Sequence, residues 1–375
     1  MRCTRYISAA FLIAWLLSAC QGKQGGVSPE GDSLALHYSQ LLSIVDYDGY
    51  SVASISDPWN KGRKLHEYVL VPRDAEVPNH LPEATIVRTP VSKALIYTAV
   101  HSALAIELGA GEKIGGVCDF QYIHSPYIID GVREGSIKDC GDAMSPDLER
   151  IIDLEPDALL LSPFENSGGY GRVEELGVPL VECADYMETS PLGRAEWMKF
   201  YGRLFGVGAE ADRLFTEVER NYMFMKTKAA DAEEQPSVIA DMKLGSVWYV
   251  PGGQSTQGKL WADAHAAYPY AEDTHSGSLA LSFEAVFDKA GESDIWVIRY
   301  NQPAPLTYRQ LATDYHGNAE MKAYKQRNVY GCNTAYTPFY EETPFHPDRL
   351  LSDFIQICHP EIDLGGLKYY ERLNE

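Results

Sequence analysis

The sequence predicts an α/β fold of two Rossmann-like lobes with central parallel sheets, joined by one long rigid helix. Two similar stretches predict the lobes. The first runs from Ser145-Pro-Asp-Leu-Glu149 to Asp157-Ala-Leu-Leu-Leu161, the second from Leu281-Ser-Phe-Glu284 to Asp294-Ile-Trp-Val-Ile298. Each opens on a serine suited to cap a helix, Ser145 and Ser282. Apolar residues then recur at helical spacing: Leu148, Ile151 and Ile152 in one, Phe283, Val286 and Phe287 in the other. Each stretch ends on an aspartate and a short apolar run, the pattern of a buried parallel strand. Between them, Ala209 to Ala230 holds neither glycine nor proline. As a helix this segment spans about 30 Å, enough to cross from one lobe to the other.

The remaining elements fit the same alternation. Leu34–Ile44 reads as a short helix. Tyr50–Ile55 and Glu67–Val71 read as the strands of an added hairpin. Thr85–Arg88 is the expected first strand of lobe one, followed by a helix from Ser92 to Leu108 that Gly109 and Gly111 stop. Ile114–Val117 is the next strand, Asp119 to Gly135 a long loop, and Val178–Glu182 the last strand of the lobe. Ser190-Pro191 starts a helix that Gly206 closes. Lobe two opens with strands at Ser237–Asp241 and Ser246–Val250, then a tight Pro251–Ser255 loop into a helix from Gly258 to Ala267. Ile295–Tyr300 and Asn328–Gly331 are later strands, and Phe345–Asp348 starts a last long helix into Ile357.

Charge and cysteines narrow the function. The formal net charge is −21 and no Lys/Arg-rich run occurs, which argues against nucleic acid as a partner. Beyond residue 20 the cysteines are Cys118, Cys140, Cys183, Cys332 and Cys358. The odd number leaves at least one unpaired, and no Cys-x-x-Cys spacing suggests a metal or redox site. Buried free thiols are the expected state, and a Cys118–Cys140 disulfide stays open. Residues 1–20 read as a targeting segment. Arg2 and Arg5 precede an apolar run, Ile7 to Leu17, that is too short for a stable span. Leu17-Ser-Ala-Cys20 resembles the lipobox of bacterial lipoproteins, with Cys20 as the lipidated residue. The expected division is therefore a signal peptide at 1–20, a polar tether at 21–33, an N-terminal lobe at 34–207, the interlobe helix at 208–231 and a C-terminal lobe at 232–375.

No enzyme constellation is present: there is no Gly-x-Ser-x-Gly, no His-Glu-x-x-His and no P-loop. Tyrosine is abundant instead, with 24 of them beside six tryptophans. Several aromatics fall in segments after strands, where open α/β sheets bind ligands. They are Phe120, Tyr122, His124 and Tyr127 in lobe one, and Trp248, Tyr249, Tyr300, Tyr336, Phe339 and Tyr340 in lobe two. Flat faces of this kind suit a large, partly apolar metal chelate. Arg299 is placed to meet a carboxylate or phosphate.

The repeated Ser-x-x-Glu pattern with its aspartate and apolar strand, together with His359-Pro360-Glu361 near the end, resembles the class III periplasmic binding proteins of ABC importers. The resemblance covers residues 85 to 364. It implies a binding subunit with no catalytic cofactor, whose bound ligand is the transported iron complex (a siderophore complex or haem) or a corrinoid. Tyr122, His124 or Tyr127 would be the candidate iron ligand if that cargo is haem. It further implies that Glu149 and Glu284 dock onto an ABC permease dimer with its ATPase. The protein would then be a periplasmic monomer held to the membrane only by lipidated Cys20. An α/β enzyme or metal chaperone on the same scaffold is the second reading.

Overall fold

A computed structural model describes residues 31–79, 81–165 and 169–375, so Cys20, the signal segment and most of the tether lie outside the described residues. The chain first builds a five-stranded sheet in the order β1 to β5: β1 (Asp32–Ser33), β2 (Leu42–Tyr47), β3 (Tyr50–Ser56), β4 (Lys64–Pro72) and β5 (Thr85–Thr89). Two expectations change here. The expected hairpin is part of this larger sheet, and β5 pairs parallel with β4 rather than opening lobe one. Nor is Leu34–Ile44 a helix. Its backbone donors go to carboxylates: the N–H groups of His37, Tyr38 and Ser39 reach Glu196 at 2.9 Å each, and those of Gln40 and Leu41 reach Glu188 at 3.0 Å. A helix would have used these donors internally. Glu188 and Glu196 are buried, so these charge-assisted bonds replace the water both carboxylates lost.

Lobe one follows as β6 (Ala94–Ile96), α1 (Ala99–Glu107), β7 (Ile114–Val117), α2 (Pro126–Glu134), β8 (Lys138–Asp139), the small hairpin β9 (Gly141–Asp142) and β10 (Ser145–Pro146), α3 (Leu148–Leu154), β11 (Ala158–Leu161) and β12 (Leu180–Glu182). The sheet is parallel in the order β12-β11-β6-β7-β8. Its strands are covered on both faces. Leu95, Tyr97, Leu159 and Leu161 pack toward α3, whereas Ala94, Ile96, Ala158 and Leu160 join the larger core. That is why they read as unbroken apolar runs. The helix expected from Ser92 starts only at Ala99, because Ala94–Ile96 is the central strand. The expected loop at 119–135 contains α2, entered through Pro126, whose missing N–H costs nothing in a first helical turn. Ser145 pairs in the hairpin, so Asp147 caps α3 in its place, accepting from the Arg150 N–H.

Helices α4 (Pro191–Glu196) and α5 (Met198–Phe205) lead into α6 (Gly208–Ala230), the 23-residue connector. Its N-terminal half belongs to lobe one, with Ala211 against Gly202 and the Phe215 ring 6.1 Å from Tyr38. Its C-terminal half belongs to lobe two.

Lobe two comprises β13 (Val238–Ala240), β14 (Lys243–Leu244), β15 (Val247–Pro251), α7 (Thr256–Asp263), β16 (Ser278–Leu281), α8 (Phe283–Ala290), β17 (Ile295–Tyr300), α9 (Tyr308–Asp314), α10 (Lys322–Lys325), β18 (Val329–Asn333), α11 (Phe339–Glu342), α12 (Pro347–Cys358) and β19 (Glu371–Arg372). Strands β13, β17 and β18 are parallel, and β19 closes the edge antiparallel. Strands β14, β15 and β16 form a separate antiparallel sheet. Here the serine cap holds: Ser282 accepts from the Ala285 N–H. Tyr222 of α6 donates to Asp263 of α7 at 2.6 Å, and Asn221 reaches Asp348 of α12.

The aspartate of each repeated stretch does the same work in its lobe. Asp157 accepts from the backbone N–H groups of Ser92 and Lys93 and from the Ser92 hydroxyl, at the entry to β6. Asp294 accepts from the N–H and hydroxyl of Ser237, at the entry to β13. Arg73 and Lys322 supply the respective countercharges.

The glutamate clamp yields a prediction. Glu196→Ala leaves three N–H groups without their acceptor and should cost about 3 kcal/mol, read from denaturant unfolding. Limited proteolysis should then cut near residues 37–41. An unchanged midpoint and cleavage pattern would show that the clamp is not stabilising.

Candidate functional site

Segments that follow parallel strands of the two lobes meet, the one after β7 touching the one after β18. His124, after β7, donates its backbone N–H to Glu341 of α11 at 2.7 Å. Its Nε2 lies 3.2 Å from the Ala335 carbonyl, which can only accept, so Nε2 carries the proton. Nδ1 is buried, 4.0 Å from Glu341 and without a hydrogen bond. Further back, Glu107 of α1 holds His346 at 2.6 Å and Arg349 at 3.2 Å. Thr256 of lobe two also donates to the Glu188 carbonyl at 3.1 Å. The lobes are thus in contact at three places along the chain.

The sequence-selected aromatics separate into three groups. Tyr122 is 65% exposed, Tyr336 68% and Tyr340 59%, each in the segment after a strand of its lobe. Tyr336 donates to the Pro303 carbonyl, and Tyr340 leans edge-on against Phe339 at 5.3 Å. Tyr249 is half exposed on β15. A second group is structural. Trp248 is fully buried between Trp296 and Phe283, with Nε1 donating to the Ala240 carbonyl, so it cannot face a ligand. Tyr300 is also buried, its hydroxyl accepting from the Leu306 N–H. Phe120 is half-buried against the core. Tyr127 makes a third case. Its ring lies 3.2 Å from where a Cβ would stand on Gly111, beside the entry to β7 and away from the strand ends.

Arg299 is not free for an anion. Asp241 holds its Nε at 2.9 Å and its Nη2 at 2.5 Å, and the guanidinium lies 5.7 Å over the Phe339 ring. Burial works against its charge, but Asp241 more than restores it. Asp241 sits at φ 60°, a left-handed conformation that suits Asp or Asn and aims the carboxylate back at β17. Glu341, Asp241, Phe164 and Tyr186 also lie in segments that follow parallel strands and were not selected from sequence. Their only sequence signal is position after an apolar run.

Beneath α1 lies a buried polar network. His101 contacts the Asp185 carboxylate at 2.7 Å, joined by Tyr201 at 2.8 Å and Arg194 at 3.0 Å. Thr98 stands at the other ring nitrogen. Burial pushes the Asp185 carboxyl up, yet His101, Arg194 and Tyr201 outweigh it and hold it at about 2. All five cysteines after residue 20 are buried free thiols, including Cys118 and Cys140, which directly follow the paired strands β7 and β8. Among the described residues, no group of three His, Cys, Asp or Glu side chains could hold a metal ion. A separate groove of about 490 Å³ lies between the added sheet and lobe one, lined by His66, Thr85, Tyr170 and Glu182.

A family profile described as periplasmic binding protein matches residues 96–336, well over half of the chain. The chain belongs to the periplasmic binding protein family. At that level it is a solute-binding protein of ABC transport. Two uncharacterized lipoproteins of Methanocaldococcus jannaschii are similar to this binding protein. One is 24% identical over 368 residues, covering 92% of this chain and 86% of the relative; the other is 25% identical over 351 residues, covering 90% and 86%. Among solved structures, a periplasmic heme binding protein from Pseudomonas aeruginosa superposes with TM-score 0.58 at 16% identity, covering 76% of this chain and 99% of its own. A molybdate-bound periplasmic binding protein from Haemophilus influenzae gives 0.59 at 15% identity, covering 82% and 91%. These likenesses confirm the two-lobed fold.

The Asp185 network sets a pH dependence. Its carboxyl sits near 2 in the fold against an ordinary 3.8, so its contribution is complete above about pH 4 and disappears as pH falls through 2. The depressed value corresponds to about 2 kcal/mol. Unfolding free energy followed from pH 5 to 2 should fall less steeply in Asp185→Asn than in the parent. Parallel curves would remove Asp185 from the acid transition.

Proposed function

We propose that this chain is the substrate-binding lipoprotein of an ABC importer, capturing an iron complex (siderophore or haem) or a corrinoid between its lobes and delivering it to the permease. The observation that carries the reading is the exposure of Tyr122 from one lobe and Tyr336 and Tyr340 from the other, all beside strand ends. Exposing large aromatic faces to water is unfavourable unless something covers them, and a broad chelate matches their shape. The heme binder of Pseudomonas aeruginosa among the similar folds supports the same cargo class. Were the cargo haem, Tyr122 would be the phenol beside the strand ends, since His124 Nε2 faces the Ala335 carbonyl and the Tyr127 ring lies against Gly111.

Glu149 and Glu284 are both exposed in the first turns of α3 and α8. We assign them to permease docking. Two similar lobes can offer one carboxylate to each of two identical permease subunits with their ATPase. The two M. jannaschii relatives named lipoproteins support anchoring through Cys20 at the membrane. In this proposal the body is a periplasmic monomer, divided as given above.

Calorimetric titration with haem, cobalamin and ferric siderophores should give binding at micromolar concentrations or tighter for at least one class. Failure with all three would remove the chelate reading. Glu149→Arg and Glu284→Arg should leave ligand affinity within about twofold while reducing uptake by at least about tenfold in cells carrying the importer. Normal transport by either variant would reduce these carboxylates to helix caps.

A further inference from the structure

We infer that the cargo carries no net negative charge: the cleft selects a neutral or cationic metal chelate. This rests on the reading of the cleft as a chelate site and narrows it. The observation is the composition of the segments that leave the C-terminal ends of the parallel strands. In lobe one these are residues 97–98, 118–125, 140–146, 162–165 and 183–189; in lobe two, 241–242, 301–306 and 334–341. Among these described residues there is no lysine and no arginine. Carboxylates recur in both lobes: Asp119, Asp142 and Glu165 in one, Asp241 and Glu341 in the other.

Several cations that border these segments are already engaged, and Lys259 of lobe two donates to the Thr189 hydroxyl. Arg299 is held by both oxygens of Asp241. Lys243 donates to the Gly245 carbonyl at 2.6 Å and lies 4.5 Å over the Tyr315 ring. Arg194 serves Asp185, and Arg150 serves Asp147 and the Asp139 carbonyl. An anionic chelate would therefore lose its water without gaining a countercharge from these segments. It would also approach against the field of a strongly acidic molecule. A cation meets the opposite situation. Exposed tyrosine faces attract it through their quadrupoles, and the buried carboxylate of Glu341 has no lysine or arginine partner.

A panel of ferric complexes of similar size but different charge tests this. The purified protein is titrated with a linear trihydroxamate complex bearing a pendant ammonium, a neutral cyclic trihydroxamate complex and a triply anionic tris-catecholate complex. The cationic or the neutral complex should bind at least about 100-fold more tightly than the anionic one, and affinity for the cationic complex should fall as salt is raised. A variant tests the charge from the protein side. Asp241→Asn keeps a residue type that tolerates the left-handed backbone and releases the Arg299 guanidinium. It should raise affinity for the tris-catecholate complex by about 10-fold. Tightest binding of the anionic complex by the parent overturns the charge assignment while leaving the chelate reading intact. Binding of haem, whose two propionates make it net negative, in preference to the cationic and neutral complexes overturns the charge assignment alone; silence of all five ligands, cobalamin included, overturns both.

Discussion

Each lobe depends on one carboxylate at the foot of its central sheet. Asp157 and Asp294 stand at the N-terminal ends of β11 and β17 and accept the first backbone donors of the neighbouring strands β6 and β13. A parallel sheet has no hairpin to set register between neighbours, so strand alignment must come from elsewhere. Here a serine and an aspartate supply it twice: Ser92 with Asp157, Ser237 with Asp294. With register fixed at the foot, the opposite ends of the strands emerge at defined heights. The residues after β7 and β18 can then meet across the lobes.

Helix α6 makes those two sheets one molecule. It shares its apolar stripe between them: Ala211, Leu214 and Phe215 go to lobe one, Tyr222 and Met225 to lobe two. A single apolar cluster runs from Leu42 in the added sheet through this helix to Leu373. The connection is a packed beam with polar ties at its far end, where Tyr222 and Lys226 both reach Asp263. Bending it would break core packing, which favours small displacements of the lobes over a wide hinge.

The sequence was most legible where local chemistry and global fold agree. Apolar runs bounded by an aspartate gave β11 and β17, and the absence of glycine and proline gave α6 to within a residue. It was least legible where a distant side chain captures backbone donors. Nothing local at residues 37–41 announces that Glu188 and Glu196, about 150 positions later, hold them extended. Ser145 failed as a cap for a similar reason, since strand pairing with Asp142 claimed it first. The aromatic candidates show the limit of position alone. Trp248 and Tyr249 are adjacent on β15, so the strand's alternation buries one and exposes the other. Sequence placed both near the cleft without resolving which face was which.

Glu188 has a wider reach than its place in the clamp suggests. Its carboxylate holds residues 39–41 and the Trp197 indole, while its own carbonyl receives the Thr256 hydroxyl from lobe two. Three bodies therefore share one residue: the N-terminal sheet, the α4–α5 corner and the opposite lobe. A displacement of lobe two at Thr256 would thus act on the segment that Glu188 holds.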